Sequence, residues 1–168
     1  MLTEKEQADE SQSSKDSTPE ASTQNVPAPP FAEILEIAPL EVSYRSYEVC
    51  DIYPNAEASN ELVFSMQALP GHKLLVFHYD LSNPTSEDVE CNIFDQNFKF
   101  RAWLNDSERV NEQTTILLND LTVYKDLVPA GQTVDTVIVF EIDEDLAANL
   151  NSEAIIVKTA DAEYTYPL

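Results

Sequence analysis

Pro70-Gly71-His72-Lys73-Leu74-Leu75-Val76-Phe77-His78-Tyr79-Asp80-Leu81-Ser82-Asn83-Pro84 is the stretch whose reading decides the fold. A Pro-Gly turn opens it, an apolar run follows and Asn-Pro closes it, which is the signature of a central strand bounded by turns. Side chains alternate along a strand, so Leu75, Phe77, Tyr79 and Leu81 share one face. His78 and Asp80 point the other way.

The segments on either side read as partners for this strand. Upstream, Val42, Tyr44 and Ser46 alternate with Glu41, Ser43, Arg45 and Tyr47, and the run continues to Tyr53 before Pro54 ends it. Phe31 to Ile37 is open between a helical turn and a strand, and Glu61 to Met66 is another short apolar piece open to the same two readings. Downstream, Val89, Cys91 and Ile93 resume the alternation. Phe98, Phe100, Ala102 and Leu104 form the next inward set, with Lys99, Arg101 and Trp103 opposite. Residues 109–127 are less regular, although Ile116-Leu117-Leu118 and Leu121 to Tyr124 supply core material.

Val128-Pro129-Ala130-Gly131-Gln132 is a turn that feeds a strand from Thr133 to Ile142, with Ile138, Phe140 and Ile142 on one face. Asp143 to Leu150 fits a short helix with Asp143 as its N-cap. Two closing strands follow, Ala154 to Thr159 and Glu163 to Tyr166. Seven or eight short strands without a long helix predict an all-β chain, an antiparallel β-sandwich, with a barrel as the alternative.

Charge narrows the range of partners. The 168 residues include 31 acidic and 9 basic side chains, a formal net charge of -22, which repels phosphate backbones and anionic lipid. Nucleic acid is therefore not an expected partner. The same charge keeps a protein soluble, and a monomer is expected. No apolar run approaches the length of a membrane helix. Residues 1–30 are polar and end in Val26-Pro27-Ala28-Pro29-Pro30, a composition that predicts a disordered tether ahead of a domain at 31–168.

Between residues 70 and 168 the chain resembles the telokin-like, immunoglobulin-like domain family of bacterial, mostly Gram-positive, surface lipoproteins of unknown function. The resemblance is carried by Leu81-Ser82-Asn83 at a strand end, the strand around Phe98, and Leu127-Val128-Pro129-Ala130-Gly131-Gln132-Thr133 running into Val137-Ile138-Val139-Phe140-Glu141-Ile142. Thr136 stands where the family usually has a Gly. The resemblance implies an immunoglobulin-like sandwich, export, and membrane contact only through an N-terminal lipid anchor that would precede the sequence. It brings no catalytic residues. In an exported protein two cysteines on strands most often pair, so a Cys50–Cys91 disulfide is expected on that condition.

Candidate chemistry is sparse. Two glycines rule out phosphate loops and dinucleotide fingerprints, and no G-x-S-x-G elbow is present. His78 and Asp80 could share a metal, but a solvated strand face is the commoner meaning of such a pair. Glu141, Asp143 and Asp145 are the best calcium ligands in the sequence, set against a role in capping and solvating a helix. Asn105-Asp106-Ser107 matches a glycosylation acceptor.

Three functions stand on this reading. The first is a non-enzymatic extracytoplasmic module, without a cofactor, that binds a protein or another envelope component. The others are a calcium-binding module at 141–145 and a hydrolase with unrecognised paired carboxylates. Lys99, Arg101 and Trp103 form the expected contact patch for the first, unless Trp103 is covered by a loop.

Overall fold

The chain's only two glycines set the start of the two longest strands among the described residues. In the computed structural model, which describes residues 28–55 and 64–168, Gly71 has φ +81° and Gly131 has φ +66°. Each is the third residue of a four-residue turn, closed by His72 N–H to Leu69 O (2.9 Å) and by Gln132 N–H to Pro129 O (3.0 Å). That turn position needs positive φ, which a side chain resists and glycine does not. The turns launch β4 (His72–Ser82) and β9 (Thr133–Asp143), which pair antiparallel along their whole length.

β1 (Glu41–Cys50) pairs with the other edge of β4, giving a three-stranded sheet in the order β1-β4-β9. A second sheet has the order β11-β10-β6-β7, built from β6 (Lys99–Leu104), β7 (Glu108–Asn111), β10 (Glu153–Lys158) and β11 (Glu163–Pro167). Two small pairs complete the sandwich: β2 (Ile52–Tyr53) with β3 (Met66–Gln67), and β5 (Val89–Asn92) with β8 (Lys125–Val128). The closing strands and the strands at 72–82 and 133–143 match the sequence expectation. β7 and β8, at the two ends of the irregular 109–127 stretch, were not legible in it.

The main core lies between the sheets. Leu75, Phe77, Tyr79 and Leu81 from β4 meet Phe100, Ala102 and Leu104 from β6, Ile138, Phe140 and Ile142 from β9, and Ile155 and Val157 from β10. A smaller cluster covers the outer face of the first sheet, where Leu74, Val76, Val137 and Val139 pack under Leu117, with Cys50, Tyr53, Met66 and Ala68 around them. β4 is therefore apolar on both faces through residues 74–77, which accounts for its unbroken Leu-Leu-Val-Phe run. The segment after β7 protects the free edge of β9: Gln113 N–H donates to Val139 O (2.8 Å), and Val137 N–H donates to Asn119 O (2.9 Å). Buried Asp120 holds the end of this crossing by accepting from the backbone N–H and hydroxyl of Thr122 and from the Thr115 hydroxyl.

Two local expectations are corrected and a third is refined. A bulge in β1 between Tyr44 and Ser46 shifts the alternation, so Tyr47, expected opposite Tyr44, lies on the same inward side and meets Phe77 edge-on at 6.4 Å. Asp143 is the N-cap residue of α2 (Glu144–Ala148) as expected, although its side chain makes no cap bond and turns instead to His72, with Nε2 to Oδ1 3.2 Å. Ile116 and Leu118 are exposed, and only Leu117 of that trio joins a core.

The ambiguous 31–37 segment begins as α1 (Phe31–Ile34), and Leu35 and Ile37 are buried in the main core. Phe31 stacks on Tyr79 at 5.5 Å and meets Tyr166 edge-on, while the Tyr166 hydroxyl donates to Pro29 O at 2.7 Å. Pro29 is thereby tied to β11, just ahead of α1. The rest of the expected tether, residues 1–27, lies outside the described residues, as does the first half, 61–63, of the apolar piece at 61–66, whose Met66 opens β3.

Phe77 is fully buried and touches the rings of Tyr44, Tyr47 and Phe140. Phe77→Ala is expected to lower unfolding free energy by about 3–5 kcal/mol, read as a fall in the denaturant midpoint with the slope unchanged. A loss under about 1 kcal/mol would contradict this packing.

Candidate binding surface

β6 carries Phe100, Ala102 and Leu104 inward, so strand alternation turns Lys99, Arg101 and Trp103 outward. Antiparallel register then decides which neighbours join them. Trp103 lies between Arg109 on β7 and Ala154 on β10; Arg101 lies between Asn111 and Ile156; Lys99 lies opposite Lys158, which in turn faces Glu163 on β11. The expected patch of Lys99, Arg101 and Trp103 is one strand of a broader face that also holds Arg109 and Lys158. Those two were missed because nothing in a linear reading links residues 109 and 158 to 99–103.

The concentration of charge is pronounced. Lys5 and Lys15 precede the described residues, and four of the remaining seven basic side chains sit on this one face of a chain of net charge -22. Glu163 is the acidic side chain placed among them by the register. Its carboxylate accepts from Arg109 at 2.8 Å and lies 3.6 Å from Arg101, whose Nε also donates to Asn111 at 2.9 Å. One carboxylate therefore orients two guanidinium groups without balancing four cations. Lys99 and Lys158 are exposed and make no ion pair with any described residue. Trp103 is half-buried, so its ring is neither free in solvent nor sealed under a loop.

The opposite outer face, on the first sheet, is differently built. The bulge in β1 places Arg45 against Asp80 (3.1 Å), Asp135 and the His78 Nδ1 (3.5 Å), and His78 Nε2 lies 3.4 Å from Glu48. Tyr53 meets the His78 ring edge-on at 5.8 Å, and burial, followed by the charge of Asp135, raises its pKa. His78 and Asp80 do share a face as expected, but Asp80 is engaged by arginine. No hydroxyl or thiol is hydrogen-bonded to His78 among the described residues, so the arrangement is an ion-pair network with no activated nucleophile.

The expected calcium ligands are not assembled. Glu141 accepts from Leu69 N–H at 2.8 Å and Asp143 faces His72, while Asp145 lies in α2, beside an open cavity of about 570 Å³ lined also by Gly71, Glu108, Asp143, Glu144 and Leu146. No group of three or more His, Cys, Asp or Glu side chains converges as a metal would require, among the described residues. The physical reason is that the strand ends at Asp143: Glu141 remains on the sheet beside Leu69, while Asp145 turns away with the helix.

The expected disulfide is also corrected. Cys50 and Cys91 are free thiols, Cys50 against the outer cluster and Cys91 in the core between the sheets, so the body of the sheet lies between them. Burial pushes both thiols up to about 11, with Glu48 and Asp51 adding to the effect at Cys50. Inert, protonated thiols follow, not redox centres.

No protein-family model matches the chain, and no curated protein matches it significantly. Among solved structures it is similar to an uncharacterised β-sandwich protein from Clostridium difficile 630, with TM-score 0.51 and 13% identity over 77% of this chain and 85% of that chain. It is also similar to a conserved hypothetical protein from Bacillus anthracis, with TM-score 0.42 and 11% identity over 76% and 86% of the two chains. The first likeness shows the fold: this is a β-sandwich.

Thiol chemistry tests the placement of the cysteines. Two thiols per chain should react under denaturing, non-reducing conditions. In the folded protein alkylation of Cys50 should keep accelerating up to about pH 11. Raised values favour the neutral thiols, so their stabilising contribution is complete below the ordinary 9.0 and disappears as pH climbs toward 11. A reactivity midpoint at or below 9, or fewer than two thiols, would contradict the assignment.

Proposed function

We propose that this chain is a non-enzymatic binding module of the bacterial cell envelope, working through the outer face of its four-stranded sheet. The observation that carries the reading is the gathering of Lys99, Arg101, Arg109 and Lys158 around Trp103 on an otherwise acidic protein. Aromatic and arginine side chains are the groups that dominate interfaces, and a half-buried indole on the same face as two arginines is ready to be covered further. The ion-pair network at His78 lacks a nucleophile, and the carboxylates at 141–145 do not converge.

Location and lineage belong to the same proposal. The telokin-like, immunoglobulin-like resemblance supports an exported, lipid-anchored protein. The polar composition of residues 1–27 fits a spacer, and the domain takes up the chain at Pro29, beside edge strand β11. A monomer suffices, because the face is a continuous sheet surface within one chain.

The test is co-sedimentation of the full chain with washed bacterial envelope fragments in low salt. Replacing Arg101 and Arg109 with Gln together with Trp103→Ala should cut retention at least fivefold while circular dichroism stays unchanged. Arg45→Gln, on the opposite outer face, should leave retention as it was. Equal retention of the triple variant would overturn the proposal.

A further inference from the structure

Resting on that reading of the face, we propose that its ligand is an anionic glycan, a chain of sugar rings bearing about one charged group per ring. Three features of the face select this class. First, it is a sheet surface, extending from Trp103 to Lys99 over four strand residues, about 13 Å at the usual rise. Such a surface suits an extended chain more than a compact small molecule, which needs a concave site.

Second, the aromatic residue is paired across the strands with an arginine on one side and with Ala154, a small residue, on the other. A partly exposed indole beside a small neighbour offers apolar surface to the face of a sugar ring. An acidic peptide would satisfy the cations and leave the indole without a partner. Third, the cations form two groups on the face: the guanidinium groups of Arg101 and Arg109 gather at Glu163, and Lys99 with Lys158 stands exposed at the end of the same strands. Separated anionic groups along one chain would meet the two groups in turn.

Charge density separates this ligand from nucleic acid. A phosphate backbone carries a charge every ~1.7 Å of duplex and would be repelled by a molecule of net charge -22 wherever it left the patch. Sparse charges held within a Debye length of the face, about 8 Å at physiological salt, feel mainly the local cations. Recognition should accordingly weaken with salt and depend on both the indole and the guanidinium groups.

Oligomers of polygalacturonate provide the probe, titrated into the full chain by calorimetry and by the fluorescence of Trp103, the chain's one tryptophan. Binding with a change in Trp103 emission is expected, at least tenfold tighter than poly-L-glutamate of equal charge. Neutral dextran and a double-stranded oligonucleotide should bind more weakly still. Arg101→Gln with Arg109→Gln, and separately Lys99→Gln with Lys158→Gln, should each weaken binding at least fivefold. The second pair is exposed and makes no ion pair among the described residues, so it keeps the test intact if the first perturbs folding. Equal binding of poly-L-glutamate, tighter binding of the oligonucleotide, or no binding of polygalacturonate would overturn the glycan assignment. If envelope retention still depends on the face in any of those cases, the ligand class fails while the binding-module reading stands.

Discussion

The structure depends on one strand having no solvent-facing side through most of its apolar run. β4 is paired at both edges, by β1 and β9, and covered on both faces, by the second sheet inside and by Leu117 with the β2–β3 pair outside. Burying a large apolar side chain contributes about 1.5–3 kcal/mol, and Leu74, Leu75, Val76 and Phe77 are all buried in succession. Since a one-residue slip would exchange the faces of every side chain, the double covering also fixes the register of both neighbours. His78 and Asp80 then fall where the outer covering ends, which is why they meet the arginine on the β1 bulge rather than water alone.

Fixing the first sheet fixes the second. The inward side chains of β6 and β10 must meet those of β4 and β9, so every alternate residue of β6 is turned out, and the register with β7 and β10 brings distant cations together. The basic face is thus a consequence of how the core is packed. Its ion pairs are exposed and contribute little to stability, about 0–1 kcal/mol each. Substitutions there can therefore be read for binding with small effect on the fold.

Much of this was legible in the sequence, because β4, β6 and β9 show clean alternation or an unbroken apolar run and their turns carry the only glycines. Trp103 with Lys99 and Arg101 was legible for the same reason. Arg109 and Lys158 were not, since their place beside β6 comes from cross-strand pairing, which has no local signature. The bulge at Arg45 was hidden because an extra residue leaves composition unchanged while moving Tyr47 to the other side. The disulfide expectation relied on the number of cysteines, whereas their faces decided the outcome. Glu141, Asp143 and Asp145 look alike in sequence, yet a strand end between them sends them to different partners.

The central claim is that a protein of net charge -22 presents one locally positive face, and its one tryptophan lies in that face. Collisional quenching of Trp103 fluorescence by iodide and by caesium reads the local potential directly in the unmodified protein. The account predicts that iodide quenches more efficiently than caesium at low ionic strength, with the difference shrinking as inert salt is added. Stronger quenching by caesium would mean that the overall negative charge governs this surface, and would contradict the account.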